Sequence, residues 1–195
     1  MSPPDNQRLI VVSGPSGVGK TSVIAEVLAL ARRRGTPLQL SVSYTTRAAR
    51  KGEENGKNYH FVSKELFQHM IQQQELLEYA LIYGEYYGTG LKAIEQQLQQ
   101  QGNLILEIDW QGAQQVKTLK LPQTSVFILP PSLSTLKQRL MKRQLDSEQA
   151  IERRMQVALT EMQQADKAEH QIVNYNLEQV AEALYRICCA SNPSH

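Results

Sequence analysis

Cysteine is nearly missing from this 195-residue sequence: Cys188 and Cys189 are the only two, adjacent and near the C-terminus. Such a pair builds neither a disulfide framework nor a metal-ligand spacing. The histidines, at 60, 69, 170 and 195, are scattered and form no HxxxH-type pair. Long apolar runs are missing too. LIVV (9–12) and VFIL (126–129) are four residues each, against the roughly 20 that span a bilayer. Charge of one sign is also lacking, with 21 Lys+Arg against 19 Asp+Glu and a net charge of +2. No broad field draws the chain to nucleic acid or to an anionic membrane, so any basic patch is local. The start, MSPPDNQRLIVVSG, has no basic leader followed by an apolar stretch, so no secretory segment is expected. These absences predict a reduced, cytoplasmic enzyme or binding protein without nucleic-acid or membrane partners.

What is present suits one compact domain with small insertions: 195 residues, 41% hydrophobic and 21% charged. RLIVVS (8–13) has the pattern of a buried strand. SVIAEVLALARRR spaces Val23, Val27 and Leu30–Ala31 for a helix, ends in arginines and stops at Gly35. LQLSVS (38–43) predicts a second strand. From 44 to 90 the alternation breaks down into Gly-rich turns, a short helix at 63–74, and strand-like LLEYALIY and EYYG. Strands then recur at 103–109, 125–130 and 170–174, with helices at 91–101, from about 111, near 132–144, 147–168 and 176–190. This order predicts an α/β fold with a mostly parallel sheet between helical layers.

Gly14-Pro15-Ser16-Gly17-Val18-Gly19-Lys20-Thr21 fits G-x-x-x-x-G-K-[ST] in full, between the first strand and first helix. Glycines let backbone N–H groups approach phosphate oxygens, and the helix N-terminus adds a favourable field. Lys20 suits the β- and γ-phosphates, and the Thr21 hydroxyl is a hard oxygen ligand for Mg²⁺. ATPases, GTPases and kinases all use such a loop. No N-K-x-D guanine-reading motif occurs, and an insertion between the second and third main strands suits a kinase with its own acceptor subdomain.

In SYTTRAARKGE (43–53), Arg47 and Arg50 lie three apart, with Tyr59 following. Two guanidinium forks and a phenol suit a phosphate dianion; by themselves the arginines also suit a solvated basic turn. Taken together, GPSGVGKT, SVSYTTRAARKGEENGKNYHFV, ELLEYALIYGEYYGT and LEIDWQGAQQV resemble guanylate kinase, from about residue 8 to 187. The resemblance implies a P-loop core (about 1–41, 92–133 and 159–195), a small mixed nucleoside-monophosphate-binding subdomain (about 42–91) and a helical lid (about 134–158).

It further implies that Arg47, Arg50, Tyr59 and Tyr87 hold the GMP phosphate, while Ser43, Glu78 and Thr89 choose the base. Guanine presents N1–H and an exocyclic NH₂ side by side, which one carboxylate can accept; adenine offers an acceptor at N1 instead. Glu107 and Asp109 end the strand NLILEID, where alternation puts both on one face at the sheet edge that binds ligands. There they would orient the acceptor, with Asp109 holding Mg²⁺ through water. Arg139, Arg143 and Arg154 resemble the family's lid arginines, which close over the transferring phosphoryl. Adjacent Lys142 and Arg153 serve that pattern equally well. Tyr175 and Asn176 follow the last strand where the family usually carries acidic residues, beside the adenine side of the ATP site.

The activity implied is Mg²⁺-dependent transfer of the ATP γ-phosphoryl to GMP or dGMP, giving ADP and GDP or dGDP. Two other readings are a guanylate-kinase-like binding module and a P-loop kinase acting on a phosphorylated sugar. Monomer and homo-oligomer are equally open.

Overall fold

The computed structural model describes residues 7–119, 121–142 and 148–190. In chain order its elements are β1 Leu9–Ser13, α1 Lys20–Arg34, β2 Leu38–Leu40, β3 Tyr44–Thr45, β4 His60–Phe61, α2 Lys64–Gln72, β5 Leu76–Ile82 and β6 Glu85–Gly90. Then follow α3 Leu91–Gln97, β7 Asn103–Glu107, α4 Trp110–Thr118, β8 Gln123–Leu129, α5 Leu133–Lys142, α6 Glu148–Met162, β9 His170–Val173 and α7 Leu177–Cys189.

β1 is apolar on both sides because it lies at the centre of a five-stranded sheet, order β2-β7-β1-β8-β9. Every pairing in that sheet is parallel. Ile10 and Val12 face α1 and α7, packing with Val23, Val27 and Leu184. Leu9 and Val11 face the other way, with Leu104, Leu106, Ile94 of α3 and Val116 of α4. Helices therefore cover both faces, as parallel strands require. No helix among the described residues is long and apolar enough to cross a membrane.

The strand expected at 38–43 is shorter. Only Leu38–Leu40 pair as a strand with β7. After Ser41, whose N–H still reaches Ile105, the chain leaves this sheet, and Tyr44–Thr45 join a second one. That sheet, order β4-β3-β6-β5, is mixed: β3 runs parallel to β4 and antiparallel to β6, and β5 and β6 form an antiparallel hairpin. Phe67 of α2 stacks on Tyr86 with ring centroids 5.2 Å apart. The expected helix at 147–168 also stops early, at Met162, and a 3₁₀ turn at Ala165–Lys167 leads to β9. α5 and α6 share a small core of Leu136, Leu140, Ile151 and Ala158.

Candidate functional site

The loop between β1 and α1 is pressed between the sheet and the α5–α6 pair. A Cβ on Gly14 (φ +143°) would lie 2.4 Å from the Ile128 carbonyl oxygen, and one on Gly17 (φ +86°) would lie 2.6 Å from Leu140 Cδ2. Only glycine fits either place. Lys20 Nζ curls over the loop, donating to the Gly14 carbonyl at 2.5 Å and more weakly to that of Pro15 at 3.4 Å. The Thr21 hydroxyl donates to Glu107 Oε1 at 2.7 Å.

One cavity of about 570 Å³ connects this loop to the second sheet. Of the loop, Gly14, Ser16, Gly17, Gly19, Lys20 and Thr21 line it; Ser43, Arg47, Arg50, Tyr59, Glu78 and Tyr87 line its far side. Glu107, Asp109 and Arg154 line it as well. Pro15, Val18, Thr89 and Arg139 do not, and Arg143 lies outside the described residues.

Glu78, on β5, is 3% exposed. The Thr89 hydroxyl, from the neighbouring strand, donates to its Oε1 at 2.6 Å, and Ser43 Oγ lies 3.4 Å from Thr89 Oγ1. Burial pushes the Glu78 carboxyl up to about 7, against the Thr89 hydrogen bond and with help from the negative charge of Asp109. Its Oε2 rests so close to α4 that a Cβ on Gly112 would come within 2.2 Å.

Asp109 does not share the end of a strand with Glu107, because β7 stops at Glu107. Instead Asp109 is the N-cap of α4, its Oδ1 accepting from the Gly112 N–H at 2.8 Å and its Oδ2 from Gln111 Nε2 at 3.1 Å. An extended Asp with helical residues behind it makes a better cap than a strand terminus. Burial raises its pKa.

Arg47 closes its fork on Glu53, with N–O distances of 2.9 and 3.0 Å. The same carboxylate accepts the Arg50 N–H at 2.7 Å. Held this way, the Arg47 guanidinium stands 5.5 Å from the Tyr59 ring centroid, and Tyr59 meets Tyr87 edge-on at 6.0 Å. Arg47 lowers the Glu53 pKa, and burial pushes the Tyr59 phenol up to about 12.

Arg154, on α6, donates to Ser16 Oγ at 3.2 Å. Arg139 instead donates to the carbonyls of Val18 and Asn174, at 2.8 and 3.0 Å, outside the cavity. Of the unusual pair after β9, Tyr175 is exposed, and Asn176 caps α7 by accepting from the Glu178 and Gln179 N–H groups. Capping gives that asparagine a structural reason independent of any nucleotide.

Two carboxylates are additions to the residues named from sequence. One is Glu53. The other is Glu161, 6% exposed, whose Oε2 accepts the Ser16 N–H at 3.2 Å. Burial raises its pKa, and the Lys20 charge opposes the rise. Its signal was its place three residues after Ala158, next to the apolar stripe of α6.

The sequence pattern of the family described as "Guanylate kinase" matches residues 6–190. The guanylate kinase of Thiobacillus denitrificans is 43% identical over 188 residues, covering 96% of this chain and 88% of that one. That of Haemophilus influenzae is 46% identical over 182 residues, covering 92% and 86%. A crystal structure of guanylate kinase from Anaplasma phagocytophilum superposes with a TM-score of 0.74 at 30% identity, covering 94% of this chain and 85% of that one. A phosphate loop and a buried carboxylate facing each other across one cavity thus have relatives along nearly the whole chain, and the protein belongs to the guanylate kinase family.

Proposed function

We propose that this chain moves the γ-phosphoryl group of ATP to GMP or dGMP in the cytoplasm, giving ADP and GDP or dGDP. The observation that carries this reading is the single cavity joining the phosphate loop to Glu78, a buried carboxylate backed by Thr89. Ionised, Glu78 accepts two adjacent donors, and guanine supplies N1–H and NH₂ at that spacing. A buried acceptor of this kind rejects adenine by leaving polar groups unpaired.

Arg47, pre-set by Glu53, and Arg50 take the acceptor phosphate, with the Tyr59 and Tyr87 phenols beside them. Ser43 adds a hydroxyl on the base side. The acceptor phosphate is already ionised near neutral pH, so no general base is required, and catalysis rests on positioning and charge neutralisation. Lys20 and Arg154, which both line the cavity at the phosphate loop, bring cations to the donor phosphates. Arg139 and Arg143 are proposed to join them when the α5–α6 pair closes over the nucleotide.

Mg²⁺ fits the residues present. Among the described residues no three acidic, His or Cys side chains are placed to hold a metal ion by themselves. The Thr21 hydroxyl and Glu107 carboxylate, 2.7 Å apart, are hard oxygens, with Asp109 lining the same cavity. That sparse set suits an ion held mainly by phosphate oxygens and water. Thr21 would bind it directly and Asp109 through water. When bound, the ion neutralises charge on the phosphate oxygens.

A coupled assay of ADP formation with GMP, AMP and a ribose bisphosphate tests the reading. Rapid turnover of GMP alone is expected. Preference for either of the others, or no turnover at all, would overturn it.

A further inference from the structure

The β5–β6 hairpin turns through Tyr83 and Gly84, whose φ angles are +52° and +81°. A two-residue turn with both angles positive calls for Asn, Asp or Gly at its first position. Tyrosine is poorly suited to it, since its Cβ crowds the backbone there. Burial does not explain the choice, because Tyr83 is 51% exposed. The ring meets Arg154, whose guanidinium carbon stands 5.7 Å from the ring centroid.

Arg154 belongs to α6 and also donates to Ser16 Oγ of the phosphate loop. Three separate parts of the cavity therefore meet at one guanidinium: the hairpin tip of the acceptor sheet, the lid helix and the phosphate loop. Tyr83, Arg154 and Ser16 all line the cavity. Burial raises the pKa of Glu161, and the nearby Arg154 charge is among the influences that oppose the rise.

Resting on the phosphotransferase reading above, we propose that Tyr83 is a positioning residue for phosphoryl transfer: its ring fixes the Arg154 guanidinium at the seam between acceptor and donor halves. Ring chemistry suits the task. A cation over an aromatic face is held by its plane, which leaves its N–H edges for oxyanions. An acidic residue at position 83 would occupy those N–H groups and place negative charge beside the phosphoryl. The unfavourable backbone at position 83 is thus retained for a side chain the turn itself does not want.

The test compares wild type, Tyr83→Asn and Tyr83→Phe by thermal melting and by steady-state kinetics with ATP and GMP. Asparagine suits the turn, so the Tyr83→Asn melting temperature is expected to equal or exceed that of wild type. Its kcat is expected to fall about two- to fivefold, the range for a partly exposed cation–ring contact, with the GMP KM little changed. Tyr83→Phe restores kcat. In an Arg154→Ala background, Tyr83→Asn is expected to add no further loss.

Full kcat in Tyr83→Asn, equal loss in Tyr83→Phe, a loss confined to GMP KM, or additive loss with Arg154→Ala would each overturn the inference. Those outcomes leave the functional reading intact. A wild-type chain that does not phosphorylate GMP overturns both.

Discussion

The Thr89 hydroxyl donates to Glu78 Oε1 at 2.6 Å, while Glu78 Oε2 rests against Gly112 at the first turn of α4. One oxygen is thereby oriented by the acceptor sheet and the other by the core. Glu78→Gln keeps the shape but replaces part of the acceptor with an NH₂ group facing guanine's own donors. A hydrogen bond to a charged group is worth about 1.5–3 kcal/mol, so kcat/KM for GMP should fall roughly 10- to 100-fold. The melting temperature should hold or rise, because a buried charge is removed. Steady-state kinetics with GMP and AMP check this, and wild-type kcat/KM for GMP would return Glu78 to a structural role.

Acidity gives a second handle on the same residue. Burial lifts the Glu78 carboxyl from 4.5 to about 7. The folded pKa is the higher one, so in the nucleotide-free protein the stability linked to Glu78 is fully present below about pH 4.5. It is lost as pH rises through about 7. Guanine's N–H donors favour the ionised form, so GMP binding should release a proton from Glu78 and weaken as pH falls below about 7. Titration calorimetry near pH 6.5 in two buffers of different ionisation heat measures that release. The GMP phosphate contributes equally in wild type and Glu78→Gln, so the difference between them isolates Glu78. An identical proton count in the two proteins would exclude the assignment.

Gly112 separates stability from selection. Inside a helix, Gly→Ala gains about 1 kcal/mol from propensity. Here, however, the new Cβ would lie 2.2 Å from Glu78 Oε2 and 3.0 Å from its Cδ. The carboxylate must shift, although Thr89 and burial restrain it. Gly112→Ala is expected to keep a near-wild-type melting temperature and to raise the GMP KM about tenfold, as the loss of one well-placed hydrogen bond would. The ATP KM should stay nearly unchanged. An unaltered GMP KM would show that Glu78 re-seats freely.

The signals legible in the sequence were the local ones. GPSGVGKT needs only its own glycines and the strand and helix beside it, and β1 and α1 appear where the apolar pattern puts them. The blocks around Arg47 and Glu78 pointed to an acceptor side only through their resemblance to the guanylate kinase family, since by residue type alone the arginines also suit a solvated turn. Long-range relations were less legible. Nothing near Ser41 says that its strand leaves one sheet for another, since that depends on β6, over 40 residues later. Asp109 read as a strand end because alternation ignores capping. Glu161 lies in the expected helix 147–168 and Tyr83 ends the strand-like LLEYALIY, and nothing local marks either one. Their meaning comes from Ser16 and Arg154, which only the folded chain brings to them.

Arg47 and Glu53 supply the last prediction. The two groups form a bidentate pair at 2.9 and 3.0 Å, and Glu53 also takes the Arg50 N–H. Glu53 therefore fixes both the guanidinium and the turn that carries it. Lysine at position 47 keeps the charge but offers a single point donor, with no fork to share between a carboxylate and a phosphate. Arg47→Lys is expected to raise the GMP KM roughly 10- to 100-fold, the scale of one charge-assisted hydrogen bond. Glu53→Gln, which keeps the shape and half the acceptors, should raise it by less than Arg47→Lys. Both effects should disappear from the affinity for guanosine, which lacks the phosphate. Competition binding with GMP and guanosine measures the two terms separately, and equal losses for both ligands would mean that Arg47 supports the base pocket rather than the phosphate.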